Sequence, residues 1–390
     1  MYARLGLIAF SGFALSAICL GGAFALGGGH AVEGAVFNFG DFGLPLCSAA
    51  GQSTATSRTL PWDGNGDRVA VALAANTYYR PGSGDQLVVK GDPRIISHVY
   101  VRDGVVGIDC NPGRFFLNRR QRVEVTLPGR SFRTFELRGS GNMQLANLSQ
   151  AEAQILVKGS GDVQADGKVD RLTIEIAGSG NVTARGTTDA LDLDINGSGD
   201  AKLGSLIAKN ADVRVDGSGN AEIAPRGATQ VSIVSEGSGD VTAEGSTDNL
   251  KVAVHGSGEA RLGELSAKNA DVHLAGSGDA EIAPYQSLNA GIAGSGDVRL
   301  RAEPGKLDAS ISGSGEIIHA DGTTEDRHSL RERHARSEEK ALRAAALDAT
   351  TRDDEESSAD LEQAKARLEA RIRARVAREL DRADIGQGPN

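Results

Sequence analysis

Ten serines between residues 140 and 314 are each followed, two positions on, by an acid or an amide. The partners are Asn142, Asp162, Asn181, Asp200, Asn220, Asp240, Glu259, Asp279, Asp297 and Glu316. Ser198 with Asp200, Ser238 with Asp240 and Ser277 with Asp279 are the clearest Ser-x-Asp pairs. If the repeats stack, three roles arise. Stacked carboxylates repel, and a cation relieves that. Calcium wants roughly six to eight oxygens, however, and the glycine-aspartate nonapeptide of calcium-binding rolls is absent from the sequence. A ligand face for a glycan is the second role. The third is structural, since short Asp and Asn side chains bond nearby backbone amides at a bend. The structural role is the expectation, with the other two left open.

The elements that position these residues follow from the repeat itself. Each serine is the centre of Gly-Ser-Gly, and successive tripeptides are 18 to 20 residues apart, the signature of a solenoid. Two residues before the first glycine stand Leu137, Val157, Ile176, Ile195, Val215, Ser235, Val254, Leu274, Ile292 and Ile311, nine of ten apolar. Apolar residues recur at four before it, and at four and six after it, with polar residues between. That alternation buries one strand face and exposes the other. The parity carries through the tripeptide, so both glycines are expected to point inward and the serine outward. A second break falls about eight residues on, at Gly167, Gly186, Gly204, Pro225, Gly245, Gly263 and Pro284. The pattern predicts an all-β parallel β-helix of about ten rungs, each strand, tight bend, strand, turn. At about 4.8 Å per rung it reaches roughly 45 Å. The segment Ser179 to Pro225 reappears as Ser238 to Pro284, an offset of 59 residues or three rungs.

Solenoids need atypical ends to cover their apolar faces. Strands are expected at Arg68 to Leu73, Gln86 to Lys90, His98 to Arg102, Val105 to Ile108 and Arg122 to Leu127, forming an N-terminal β cap. The domain reading is a leader over 1–25, a flexible spacer over 26–65, the β-helix over 66–320 and a charged α-helical tail over 321–390. In the tail, Ser357 caps a helix whose stripe is Leu361, Ala364, Leu368, Ile372, Val376 and Leu380, with an arginine-rich side. A solvated helix is the plain reading; self-association through it is the alternative.

Residues 5–26 are uncharged and apolar after Arg4, and Ala23-Phe24-Ala25 offers the small residues of a signal-peptidase site. Cleavage after Ala25 and retention as a membrane anchor both remain open. Export leaves two cysteines, Cys47 and Cys110, which an oxidising compartment would pair; two separate buried thiols are the alternative. The net charge of −10 argues against nucleic-acid binding.

The tenfold Gly-Ser-Gly followed by Asp, Asn or Glu, with the lead-in Arg122-Val-Glu-Val-Thr-Leu-Pro128, resembles the head GIN domain family, the heads of auto-transporter adhesins, also known as an exported bacterial domain of unknown function. The resemblance covers about residues 66 to 320. It implies a β-helical fold at the cell surface or in the periplasm, and it carries over no catalytic residue. No C-terminal run of amphipathic strands stands ready to form an outer-membrane barrel.

The seven histidines, His30, His98, His255, His273, His319, His328 and His334, share no equivalent position on adjacent rungs, so no metal cluster is expected. Asp41-Phe42-Gly43 matches a kinase tripeptide, but nothing else of a kinase accompanies it. Some parallel β-helices cleave polysaccharides, which requires one rung to depart from its neighbours; here the rungs resemble each other. The reading is therefore an exported, non-enzymatic structural or adhesin-like binding module of the bacterial envelope, with no cofactor and with an unknown protein or glycan partner. A polysaccharide-acting enzyme and a cation-binding solenoid are the alternatives.

Overall fold

The computed structural model describes Cys47, residues 55–64, 66–82, 84–111 and 123–330, and positions 336, 340 and 341. The leader, with Asp41-Phe42-Gly43, and the tail helix read from Ser357 lie outside the described residues.

The chain coils because inward apolar positions repeat at a constant offset. After β8 (Thr134–Leu137) come eight long strands: β9 (Asn142–Val157), β10 (Val163–Ile176), β11 (Val182–Gly197), β12 (Ala201–Gly217), β13 (Ala221–Gly237), β14 (Val241–Gly256), β15 (Ala260–Gly276) and β16 (Ala280–Gly294). Each is a whole rung and pairs in parallel with the next. The register puts like on like: Ile155, Ile174, Leu193 and Val213 form one inward column, and Val157, Ile176, Ile195 and Val215 another. The result is a right answer to the burial problem that one sheet alone cannot solve: the coil closes on its own core. It makes about nine turns. The tenth tripeptide leads only to the two-residue β19 (Ile317–Ile318), after β17 (Val298–Leu300) and β18 (Lys306–Gly313).

Two details differ from the sequence reading. The second break is no gap. Gly167, Gly186 and Gly245 adopt positive φ inside continuous strands, and the ladder shifts register nearby instead of stopping. The first glycine of each tripeptide also does not point inward. It lies at the rim, at positive φ from Gly197 onward, so that only the second glycine is buried, and the inward parity expected from the sequence holds on either side of it. Both glycines are nonetheless required, because the rung before lies against them. A side chain at Gly161 would collide with the Gly141 carbonyl, and one at Gly178 with that of Gly159. The carbonyl of Gly178 in turn accepts from the amides of Ser198 (3.1 Å) and Gly199 (3.2 Å).

The cap begins earlier than expected. The segment read as spacer contributes β1 (Ser57–Pro61), antiparallel to β4 (Gln86–Lys90). Leu60 is buried, and the Arg58 guanidinium donates to the carbonyls of Ile96, Ser97 and Val99. Between them lie β2 (Arg68–Val71) and β3 (Ala75–Tyr79), then α1 (Pro93–Ile96), β5 (Val99–Arg102), β6 (Val105–Ile108) and β7 (Val123–Thr126). β2 runs parallel to β8 and β3 parallel to β9, so they make a rung in their own right. Its bend is Leu73-Ala74-Ala75, on which Gly139 and Gly141 sit. Trp62, Tyr79, Phe132 and Phe135 fill the core beneath, with ring centroids 4.9 to 6.1 Å apart. Cys47 and Cys110 form a disulfide, both buried, and the Cys47 amide donates to the Asn111 carbonyl at 3.0 Å.

At the other end β20 (Thr324–Glu325) turns back antiparallel on β19, and Leu330, in the helical turn that follows, is buried against the core. The start of the tail therefore closes the solenoid. His319, where the apolar series stops, bonds Glu303 at 3.0 Å there.

Candidate binding face

The Ser-x-Asp face lies on the outer side of the bend. Ser198, Ser238 and Ser277 are exposed; Asp200, Asp240 and Asp279 are half-buried. The half-burial has a cause. Seven of these acids and amides accept, through Oδ1, the backbone amide of the counterpart one rung later. Asp162 accepts from Asn181 (3.0 Å), Asn181 from Asp200 (2.9 Å), Asp200 from Asn220 (3.0 Å), Asn220 from Asp240 (3.0 Å) and Asp240 from Glu259 (2.9 Å). Asp279 and Asp297 continue the series with the amides of Asp297 (2.8 Å) and Glu316 (3.0 Å). The Asn residues add a second bond, donating Nδ2 to the preceding Asp at 2.9 Å from Asn181 and 3.0 Å from Asn220. Alternation of Asp with Asn thus supplies a donor between acceptors and spaces the charges. Glu259, one methylene longer, turns to Arg261 (2.6 Å), whose other nitrogen reaches Asp240 at 3.0 Å.

Asn in place of both Asp200 and Asp240 keeps every Oδ1 acceptor. The double variant is expected to melt within about 2 °C of the parent, and neither protein should respond to calcium. A calcium-dependent rise in melting temperature seen only in the parent would establish a cation site instead.

Two shallow grooves open on the repeats, the first at this face and the second at the turn around Gly245. One, of about 350 Å³, is lined by Asp200, Lys202, Asn220, Glu222, Asp240, Thr242 and Arg261. The other, of about 520 Å³, is lined by Arg226, Glu244, Gly245, Ser246 and Glu264. Charged side chains of both signs line both, Ala201 and Ala221 add apolar surface to the first, and Tyr285 is the one large aromatic exposed in the repeats among the described residues. Among those residues His98, Asp109 and Cys110 come close enough to share a metal, but Cys110 is held in the disulfide.

Three polar assemblies escaped the sequence reading. A second amide ladder runs down another corner: Asn269 donates to Asn249 (3.2 Å), and Ser287 to Asn269 (2.8 Å). Lys209 pairs with Asp189 (2.6 Å) and Lys268 with Asp248 (2.5 Å), equivalent positions of the three-rung copy. The repeated phrase Ala-Lys-Asn was the available signal for both. The third is Glu136, fully buried at the junction of cap and solenoid. It accepts from Arg68 Nε (3.1 Å) and Nη2, and from Arg138 Nε (2.8 Å) and Nη2 (3.0 Å), with Lys158 Nζ at 3.4 Å. Burial raises the Glu136 carboxyl, but the bonds from Arg138 and Arg68 outweigh it and bring its pKa down to about 2.

The family model described as "Putative auto-transporter adhesin, head GIN domain" matches residues 67–238 and 226–304, more than half of the chain. The chain belongs to the head GIN domain family. The matched span starts at the cap rung of β2 and ends beyond β17, so it takes in that rung together with most of the repeats. No curated protein matches the chain. Solved structures similar to this head GIN chain include a "putative lipid binding protein" from Parabacteroides distasonis ATCC 8503, at 21% identity over 67% of this chain and 95% of that one, with a TM-score of 0.36. A "putative adhesin" from the same organism shares 16% identity over 68% and 96%, with a TM-score of 0.39. A "putative adhesin" from Bacteroides fragilis NCTC 9343 shares 18% over 68% and 98%, with a TM-score of 0.27. At these scores the likenesses add nothing to the fold derived above.

Proposed function

We propose that this head GIN protein is a non-enzymatic, adhesin-like binding module of the bacterial envelope, exported to the periplasm or cell surface. The observation that carries this reading is the rung-to-rung bonding of the outer face. From Asp162 to Asp240 each ladder oxygen is engaged by the amide of the next rung. Side chains held this way form a rigid display surface. A hydrolytic site instead needs acids and bases set apart from their neighbours in geometry or pKa. A buried disulfide suits an oxidising compartment. The partner, a protein or glycan of the envelope, is part of the proposal, and so is anchoring by a retained N-terminal segment.

Fractionation of the native host, combined with thiol labelling and incubation of the purified protein with envelope polysaccharide, tests the reading. The protein is expected outside the cytoplasm, with no labelled thiol at Cys47 or Cys110 and no release of reducing sugar. A cytoplasmic protein with two free thiols removes the envelope assignment. Release of reducing sugar moves the enzyme reading ahead.

A further inference from the structure

Where the disulfide closes the cap, four side chains able to ligate a metal converge. The antiparallel hairpin of β5 and β6 pairs Val99 with Ile108. One step beyond these strand ends, the Asp109 amide donates to the His98 carbonyl at 3.2 Å, and His98 Nδ1 lies 2.9 Å from Asp109 Oδ1. The chain bends at Asp109 and Cys110. That bend carries the Cys110 sulfur to the same place, so the ligating atoms of His98, Asp109 and Cys110 all lie within 4.8 Å of one another. The Cys47 sulfur is bonded to that of Cys110, and its backbone is held separately, its amide donating to the Asn111 carbonyl. Two sulfurs, an imidazole and a carboxylate are thus brought together by backbone hydrogen bonds as well as by the disulfide. Both cysteines are buried, whereas Asp109 is exposed and opens the cluster to solvent.

We propose that Cys47, Cys110, His98 and Asp109 hold a zinc ion while the two cysteines are thiols, and that formation of the disulfide expels it. Zinc takes four ligands in a tetrahedron, sulfur at about 2.3 Å and nitrogen or oxygen at about 2.0 to 2.2 Å, which sets the ligand atoms roughly 3.3 to 3.8 Å apart. The imidazole, the carboxylate and the Cys110 sulfur lie within reach of that arrangement, and only the two sulfurs must part from bonding distance. Thiolates and an imidazole select zinc over calcium or magnesium, which want oxygen ligands. Binding releases the two thiol protons. In the reverse step each thiolate gives up one electron, the S–S bond forms and the ion leaves. A small-molecule disulfide takes the two electrons and becomes two thiolates, which draw protons from water. A newly made chain whose cysteines are still reduced is therefore the zinc-binding form. The inference does not depend on where the protein resides.

The test uses the full chain with Cys19→Ser, which leaves Cys47 and Cys110 as its cysteines. The protein is purified under a phosphine reductant and titrated with Co2+ as a spectroscopic stand-in, then with Zn2+. The reduced chain is expected to bind one Co2+ with a near-ultraviolet thiolate band and the strong visible bands of a tetrahedral site, and zinc should displace it. Oxidised glutathione should release the zinc and restore the disulfide, and the oxidised chain should bind neither ion. His98→Ala is expected to weaken zinc binding about a hundredfold and Asp109→Asn about tenfold, whereas His255→Ala, on the repeats, should leave it unchanged. Circular dichroism shows which variants are folded, and Asp109→Asn, at an exposed position, serves where His98→Ala does not fold. The proposal is overturned if the reduced, folded chain gives no tetrahedral cobalt spectrum, if the oxidised chain binds the ion equally well, or if the folded His98 and Asp109 variants bind zinc as the parent does.

Discussion

Ile174→Asp is expected to unfold the rungs around it, at a cost of about 5 kcal/mol or more. Ile174 is wholly buried in β10 and stacks between Ile155 and Leu193 in parallel register. A carboxylate there has no donor to meet and must either remain charged in an apolar column or take up a proton. Rungs contact only their neighbours, so the damage spreads outward through the stack while the far rungs hold. Glu175→Lys, one residue away on the outer face and beside Asp194, should stay within about 0.5 kcal/mol of the parent. Urea denaturation followed by far-ultraviolet circular dichroism compares them. Equal midpoints for the two variants would contradict the inward and outward assignment.

Glu136→Gln is expected to be the most damaging polar change, costing about 2 to 3 kcal/mol, because it replaces the charge-assisted bonds from two arginines and a lysine with those of a neutral, buried amide. The change should also alter the acid limb of stability. Glu136 titrates near 2 in the fold, below its ordinary value of 4.5. Its contribution is therefore complete above about pH 4.5 and is lost as pH falls through about 2, amounting to on the order of 3 kcal/mol. The parent should lose stability across that window, and the variant should lose less. Denaturant midpoints measured between pH 2 and 6 check this; parallel curves for the two proteins would show that Glu136 contributes nothing through its charge.

The repeats were legible because period and polarity both survive in the sequence. Ile174 and Glu175 could be assigned to opposite faces from their offset to Gly178 alone. The rung of β2 and β3 was not legible as one, since its bend is Leu73-Ala74-Ala75. The tripeptide is demanded by the carbonyls of the rung before it, so the rung at the start of the stack can bend without it. β1 was hidden for another reason. A five-residue edge strand shows little periodicity, and its stabilising contacts, Arg58 to the carbonyls after α1, are long-range. Glu136 occupies an outward offset, where a charged residue is unremarkable; only Arg138 and Lys158 at matching positions of successive rungs hinted at its burial. Of the outer ladder, sequence supplied the column and its spacing, and the structure supplied what each oxygen holds.

That column has a direction. From Asp162 to Asp240 the accepting side chain belongs to the earlier rung and the donating amide to the later one. The Gly-Ser-Gly carbonyls follow the same order, Gly178 receiving amides from Ser198 and Gly199. The backbone answers in the opposite sense at the same residues, Val182 donating to the Asp200 carbonyl and Ala221 to that of Asp240. Each ladder residue thus stitches its rung to both neighbours, its side chain reaching forward and its carbonyl back, so no seam at this corner is left to one kind of bond.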